Sequence, residues 1–351
     1  MSTLDGPPVH LADALGSHAK DLARAVWVRL PAASRSPRDR AFAAYRRHVR
    51  RIVRGETASF RVIDTRTVAA SPLSRVVEIE LHTRAEVGVG DMLYVWWCND
   101  PARVASLAPA LTDAEVGYWT TPVPHRPARY ARATAAHVAA SVLDLSALGV
   151  EDVAALDAAE LLALPRITPR LYTASEARRD GGGRCIVKVQ VTMRQDWPRR
   201  AAAFLHRVAA GDEVRAWVMP HPNRVHRVRP GVAVVTGSGA AGVFAALRDG
   251  AVGIDLIWGL GDKRLEPWVL DELRGYEVSG ALASLRLVNS PMHVGAALRE
   301  LADLGERSGR GDWLYVSGNE AAGVDAHAAV ADLLGDEAVG QAADSLRYIN
   351  S

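Results

Sequence analysis

Pro169-Arg170-Leu171-Tyr172-Thr173-Ala174-Ser175, preceded by Leu164-Pro165-Arg166-Ile167-Thr168, decides how the rest of the chain is read. The stretch offers an arginine, an aromatic ring two residues on, and a hydroxyl directly after the ring. In an extended strand alternate side chains share a face, which puts Arg170 and Tyr172 on one side and Thr173 on the other. A guanidinium, a ring and a hydroxyl so placed can hold a phosphate, lie against a flat heterocycle and reach its edge. The same heptad also reads as a proline-bounded strand with a solvated arginine.

The segments around it choose between these readings. Upstream stands Gly90-Asp91-Met92-Leu93-Tyr94-Val95-Trp96-Trp97-Cys98-Asn99-Asp100-Pro101. Downstream come Ala203-Phe204-Leu205, then Gly211-Asp212-Glu213-Val214, a strand, glycine loop and helix at 232–247, and Trp313-Leu314-Tyr315-Val316-Ser317-Gly318-Asn319. In this collinear order, over about residues 60 to 351, the chain resembles the ferredoxin–NADP reductase superfamily. The subgroup it looks most like contains the sulfite reductase flavoprotein and cytochrome P450 reductase.

The resemblance implies an antiparallel FAD-binding barrel over 59–230, interrupted by a short helical insertion at about 101–165. An α/β, parallel-sheet, NAD(P)-binding-like domain follows over 231–351, and no FMN domain is fused to it. It also implies that hydride passes from NADPH or NADH to the flavin, with the cofactor supplying the chemistry and the protein its orientation. By the motif, Arg170 would hold the flavin pyrophosphate. Leu171 and Tyr172 would lie beside the isoalloxazine or ribityl group, with Thr173 near the reacting nitrogen. Lys188, Val189 and Gln190 would approach the adenosine.

Departures from the family pattern cluster in the phosphate sites. Where the family has Gly-x-Ala/Cys-Ser/Thr, this chain has Arg199-Arg200-Ala201-Ala202, trading a hydroxyl for two positive charges. Gly237-Ser238-Gly239-Ala240-Ala241-Gly242 fits Gly-x-Gly-x-x-Gly between strand and helix, a loop whose backbone can approach a diphosphate. The family's Ser-Arg pair for the 2′-phosphate appears as Ser290-Pro291, its nicotinamide-side cysteine as Ser317, and the following aspartate as Asn319. Tyr348 stands nearest to the usual C-terminal aromatic. One lost arginine–phosphate contact costs about 1.5–3 kcal/mol, enough to erase a preference for NADP over NAD. Arg286, Arg299 and His293 are candidate compensators.

Composition fits a soluble globular protein: 351 residues, 49% hydrophobic and 23% charged, long enough for two domains with cores. Two distant cysteines, Cys98 and Cys185, give neither a disulfide framework nor metal spacing. The histidines likewise show no ligand spacing. No 18-residue apolar run or signal pattern is present, so a cytoplasmic protein without a membrane span is expected.

Net charge is only +2, but ten arginines face Asp21 and Asp39 between positions 21 and 54. Residues 1–58 read as a basic helical extension, with Phe42, Tyr45, Val49 and Ile52 on one face. Arg46, Arg47, Arg50, Arg51 and Arg54 form a stripe on the other. That stripe is either a solvated face or a dock for an acidic, flavodoxin-like electron acceptor. Nucleic acid is disfavoured, since no reader motif accompanies it.

Strands are expected at 74–83, 92–97, 185–192 and 214–219. Helices are expected from Pro101 through Leu111, at 134–145 and at 153–164. After 230, strands at 232–236, 254–258, 284–288 and 313–317 alternate with helices near 240–248, 266–274, 293–304 and 323–334. Three functions remain open: an FAD reductase using NAD(P)H, a flavoenzyme acting on a small molecule without pyridine nucleotide, and a non-catalytic interaction module.

Overall fold

The computed structural model describes residues 57–119, 129–194, 201–219, 230–290, 292–301, 303–310, 312–335 and 348–350. The basic stripe at Arg46–Arg54 lies outside the described residues. These residues fall into two compact units, 97–168 and the remainder.

The larger unit begins with β1 (Ala58–Ala70), β2 (Ser74–Thr83) and β3 (Met92–Trp96). β2 follows its sequence pattern, burying Val76, Ile79 and Leu81. β1 has no clean alternation. Its register against β2 shifts between Val62 and Asp64 and again between Thr67 and Ala69. Each irregularity lets a continuous strand change the face it presents.

The unit 97–168 contains α1 (Pro101–Ala105), α2 (Pro109–Thr112), the hairpin β4 (Glu115–Trp119) with β5 (Tyr130–Thr134), α3 (Ala135–Ser141), α4 (Val150–Ala154) and α5 (Ala158–Ala163). The Asp100 carboxylate caps α1 by accepting from the Ala102 amide at 3.0 Å. The helix expected to continue through Leu111 stops at Ala105, because Ala108 precedes Pro109 and takes an extended conformation. Asn99 is buried as the polar pin of this unit, donating to the Ala139 and Leu143 carbonyls and accepting from the Leu145 amide.

The chain returns to the larger unit with β6 (Arg170–Arg179), β7 (Cys185–Arg194), α6 (Ala201–Arg207) and β8 (Glu213–Met219). The pairing order β1-β2-β7-β6-β3-β8 closes on itself, since β1 also pairs with β8. A six-stranded antiparallel barrel results. Its interior holds Phe60, Ile79, Leu93, Val95, Val187, Val189, Val191 and Val214, and α6 adds Leu205 to the same core.

Beyond residue 230 follow β9 (Gly231–Thr236), a 3-10 turn at Gly237–Ala240, α7 (Ala241–Arg248), β10 (Ile254–Gly261), β11 (Arg264–Leu265), α8 (Pro267–Val278) and β12 (Leu282–Asn289). α9 (Val294–Arg299), α10 (Leu304–Arg310), β13 (Trp313–Ser317), α11 (Glu320–Leu334) and β14 (Tyr348–Asn350) complete the chain. Where one helix was expected over 293–304, two shorter ones stand. The parallel sheet has the order β12-β10-β9-β13-β14. Its first three strands run outward in one direction and the chain then reverses to the other side of β9, the doubly wound arrangement.

One face of this sheet is packed by α9 and α11. The other shares a single core with the outer wall of the barrel. Val68, Val76, Met92 and Met219 of the barrel join Val235, Phe244, Trp258, Val269 and Leu273. β11 pairs with β1, Ala69 opposite Leu265. The barrel and the parallel domain are therefore fused by apolar packing rather than hinged.

Candidate functional site

Cross-strand pairing settles which face each residue of the Arg170–Thr173 stretch takes. Tyr172 lies opposite Leu93 and Arg170 opposite Val95, both barrel-interior residues. Thr173 lies opposite Met92 and Leu171 opposite Tyr94, on the outer wall. The expected partition of side chains holds, but the tyrosine is on the inner side. Its ring packs against the barrel core, and burial pushes its phenol pKa up. The ring expected beside the flavin is thus half-buried against the barrel core.

The outer wall beside Thr173 carries other rings. Tyr94 lies 5.9 Å from Trp217, and Trp217 lies 5.7 Å from Trp96, centroid to centroid. Leu171, 41% exposed, completes this apolar surface. No site role was expected of Tyr94, Trp96 or Trp217 from the sequence. The signal was available: Tyr94 and Trp96 are two apart on a strand whose other face is Leu93 and Val95. Arg170, at the start of β6, is exposed and has no carboxylate partner among the described residues. Its guanidinium is available to an anion.

Lys188, Val189 and Gln190 do not form a common ligand surface. Val189 points into the barrel. Lys188 Nζ is held by Glu176 at 2.6 Å. Gln190 is 2% exposed, with both amide atoms lacking a partner among the described residues. The outer face of β7 meets the parallel domain at Thr192, which accepts from the Ser238 amide. Glu78, 1% exposed, meets Arg66 at 2.6 Å and Arg248 at 3.3 Å. Arg248 also reaches Glu272 at 3.0 Å. Burial would lower the guanidinium pKa, but Glu272, Glu78 and Glu176 raise it overall.

The second cluster sits at the carboxyl edge of the parallel sheet, where strand order reverses between β9 and β13. Gly237 takes φ +54°, a conformation that favours glycine, and a Cβ there would lie 2.7 Å from Thr192 Oγ1. A Cβ on Gly239 would lie 2.5 Å from the Ser317 carbonyl oxygen. The loop therefore presses on the end of β13. Ser238 donates its amide to Thr192 Oγ1 of β7 at 2.8 Å, so one loop amide is already engaged. Thr236 Oγ1 accepts from the Asn319 amide at 3.1 Å, and the Asn319 side chain caps α11 at Ala322. Gly237, Ser238, Gly239, Ser317 and Asn319 are thus brought together at the switch point, the place where open parallel sheets take ligands.

Ser290 lies on the same edge, two strands away, and donates its amide to the Gly261 carbonyl at 2.9 Å. Of the candidate compensators, the two arginines are engaged elsewhere, while His293 is exposed at the start of α9. Arg286 pairs with Glu300 at 2.5 Å and Arg299 with Asp332 at 2.7 Å. Arg199, Arg200 and Pro291 lie outside the described residues. Ala201 is buried and Ala202 half-buried in the first turn of α6. Tyr348 is on β14, opposite Leu314, with its side chain outside the description. Among the described residues no group of three or more His, Cys, Asp or Glu could hold a metal. No described helix is long and apolar enough to cross a membrane.

No protein-family model matches the sequence, and no curated protein is similar to it in sequence. Solved structures are similar in fold. The ferredoxin-NADP+ reductase from Plasmodium falciparum superposes with a TM-score of 0.51 at 11% identity, covering 84% of this chain and 95% of that one. The same reductase with 2′P-AMP gives 0.50 at 12% identity, covering 84% and 96%. The chain has the ferredoxin–NADP reductase fold, a closed barrel followed by a nucleotide-type domain.

Proposed function

We propose, from that reductase fold, that the chain is an FAD-dependent oxidoreductase. It takes hydride from a pyridine nucleotide and passes electrons to a separate acceptor. The observation that carries this reading is the pairing of two sites in one compact unit. One is an outer barrel wall with Thr173, Leu171 and Tyr94 beside Arg170, which is exposed and has no carboxylate partner among the described residues. The other is a glycine loop at the switch point, docked onto that barrel through Ser238 and Thr192.

When bound, FAD supplies hydride acceptance and stepwise electron release. The chain's own residues bind and orient. Arg170 holds the pyrophosphate by charge. The Thr173 hydroxyl meets the polar edge of the ring, and Tyr94 and Leu171 offer it an apolar surface. The Gly237–Gly239 loop takes the nucleotide diphosphate, while Ser317 and Asn319 lie at its reactive end. The Plasmodium reductase was solved with 2′P-AMP, which supports an adenine nucleotide as a ligand for this fold.

A second reading, a flavoenzyme indifferent to pyridine nucleotide, is favoured by two observations. The Ser238 amide is already taken, and Arg286 and Arg299 are tied into ion pairs. Anaerobic rapid mixing of FAD-loaded protein with NADH and with NADPH separates the two. Bleaching of the flavin within seconds supports the first reading. A yellow protein that neither nucleotide reduces supports the second. A chain that takes up no flavin leaves only an interaction module, with the arginine stripe at Arg46–Arg54 as a candidate dock for an acidic partner.

A further inference from the structure

β10 ends at Gly261, and the next residue, Asp262, is exposed. It follows Gly242, the last glycine of the Gly-x-Gly-x-x-Gly loop, by 20 residues. In dinucleotide folds an acidic residue about that far on, at the end of the second strand, accepts from the adenosine ribose 2′-hydroxyl. β10 is the second strand here and pairs directly with β9. The bond from the Ser290 amide to the Gly261 carbonyl puts Asp262 immediately beside the segment where a 2′-phosphate clamp would stand.

Lys263 lies within electrostatic reach of Asp262, with Arg194 near it, and the other charges of this edge are largely engaged. Lys263 Nζ donates to the Leu260 carbonyl at 3.2 Å. Arg264 is carried on β11, which pairs with the barrel strand β1. Arg286 and Arg299 hold Glu300 and Asp332. Ser290 is followed in sequence by Pro291 rather than by an arginine. An exposed carboxylate that forms no ion pair among the described residues accepts a hydrogen bond from a hydroxyl and repels a phosphate dianion.

We propose that Asp262 is a specificity-determining residue that selects an adenine dinucleotide with a free ribose 2′-hydroxyl, of the NADH class, against its 2′-phosphorylated counterpart. The inference rests on the reading of the switch-point edge as a pyridine-nucleotide site, and it names which nucleotide that site takes.

Isothermal titration of the full-length protein with ADP-ribose and with 2′-phospho-ADP-ribose tests it without any turnover. The wild type is expected to bind ADP-ribose at least about tenfold more tightly, a difference of about 1.4 kcal/mol. Asp262→Ser should weaken ADP-ribose and bring the ratio towards one. Asp262→Arg should invert it. Because Asp262 is exposed, both variants should keep the wild-type thermal transition. Tighter binding of the 2′-phosphorylated ligand by the wild type would overturn the assignment of Asp262 alone. A ratio that neither substitution moves would do the same. If neither ligand binds at millimolar concentration, the nucleotide site itself is refuted, and this inference with it.

Discussion

The Arg248 guanidinium of α7 lies 3.3 Å from the Glu78 carboxylate of β2, a side chain only 1% exposed, so a cation of the parallel domain is buried against the barrel wall. The same guanidinium reaches Glu272 at 3.0 Å and Glu176 at 3.8 Å. Removing one partner from such a network leaves charges that water cannot reach. Arg248→Ala is expected to destabilise the fold by about 3 kcal/mol, measured by denaturant unfolding. Arg66 remains on Glu78 and keeps the loss from growing further. The double variant Arg248→Met/Glu78→Gln should cost less than the two single changes combined. Additive losses would mean that the two charges are not coupled.

Two other members of this network set the pH limits of stability. Burial would raise the Glu176 pKa, but Lys188, Arg248 and Arg178 outweigh it and hold it below the usual 4.5. A depressed folded-state pKa gives stability above the unfolded value that is lost as pH falls through the folded one. Unfolding midpoints should therefore drop as pH falls below about 4.5, and Glu176→Gln should flatten that limb. Tyr276 is the opposite case. Burial and Glu272, whose carboxylate accepts from its hydroxyl at 3.1 Å, push the phenol up to about 12. Its contribution is present below the ordinary value of 10.0 and is lost as pH rises towards 12. Titration of tyrosinate absorbance in wild type and Tyr276→Phe checks the assignment.

Arg170→Ala tests the flavin seat without disturbing the fold. The side chain is exposed and has no carboxylate partner among the described residues, so the melting temperature of the flavin-free protein should not change. Affinity for FAD should fall by about ten- to a hundredfold, the loss of one charge-assisted phosphate contact of about 1.5–3 kcal/mol. Full flavin occupancy in the variant would remove Arg170 from the site.

Gly239→Ala tests the switch-point loop. The added methyl group meets the Ser317 carbonyl at 2.5 Å, and that backbone cannot yield cheaply. Stability should drop by about 1–3 kcal/mol, and nucleotide affinity should fall with it because the end of β13 must shift. A variant with unchanged stability and unchanged nucleotide binding would show that the loop is not pressed on β13.

How much of this was legible in the sequence depended on periodicity. β9, β10, β12 and β13 were readable because short apolar runs alternate with helical stretches, and their order alone implies a parallel sheet. β2 and β7 were readable because one face is interior. β1 was missed because its bulges near Val62 and Thr67 break the period, and its Val68 and Ala69 join the core shared with the parallel domain. The hairpin of β4 and β5 was missed because its 130–134 half alternates only between partly buried and exposed positions.

At the site, alternation separated Arg170 and Tyr172 from Thr173 correctly. It could not say which side faced inward; the cross-strand partner Leu93 decides that. Nor could it show that Glu176 holds Lys188, or that β7 meets the glycine loop through Thr192 and Ser238, 46 positions apart in the chain.

The most direct test of the central claim is reconstitution of the purified chain with FAD, followed by gel filtration and a visible absorbance spectrum. The structure predicts that one FAD per chain stays with the protein and that its spectrum departs from that of free flavin. A chain that elutes colourless after incubation with excess FAD would contradict the account.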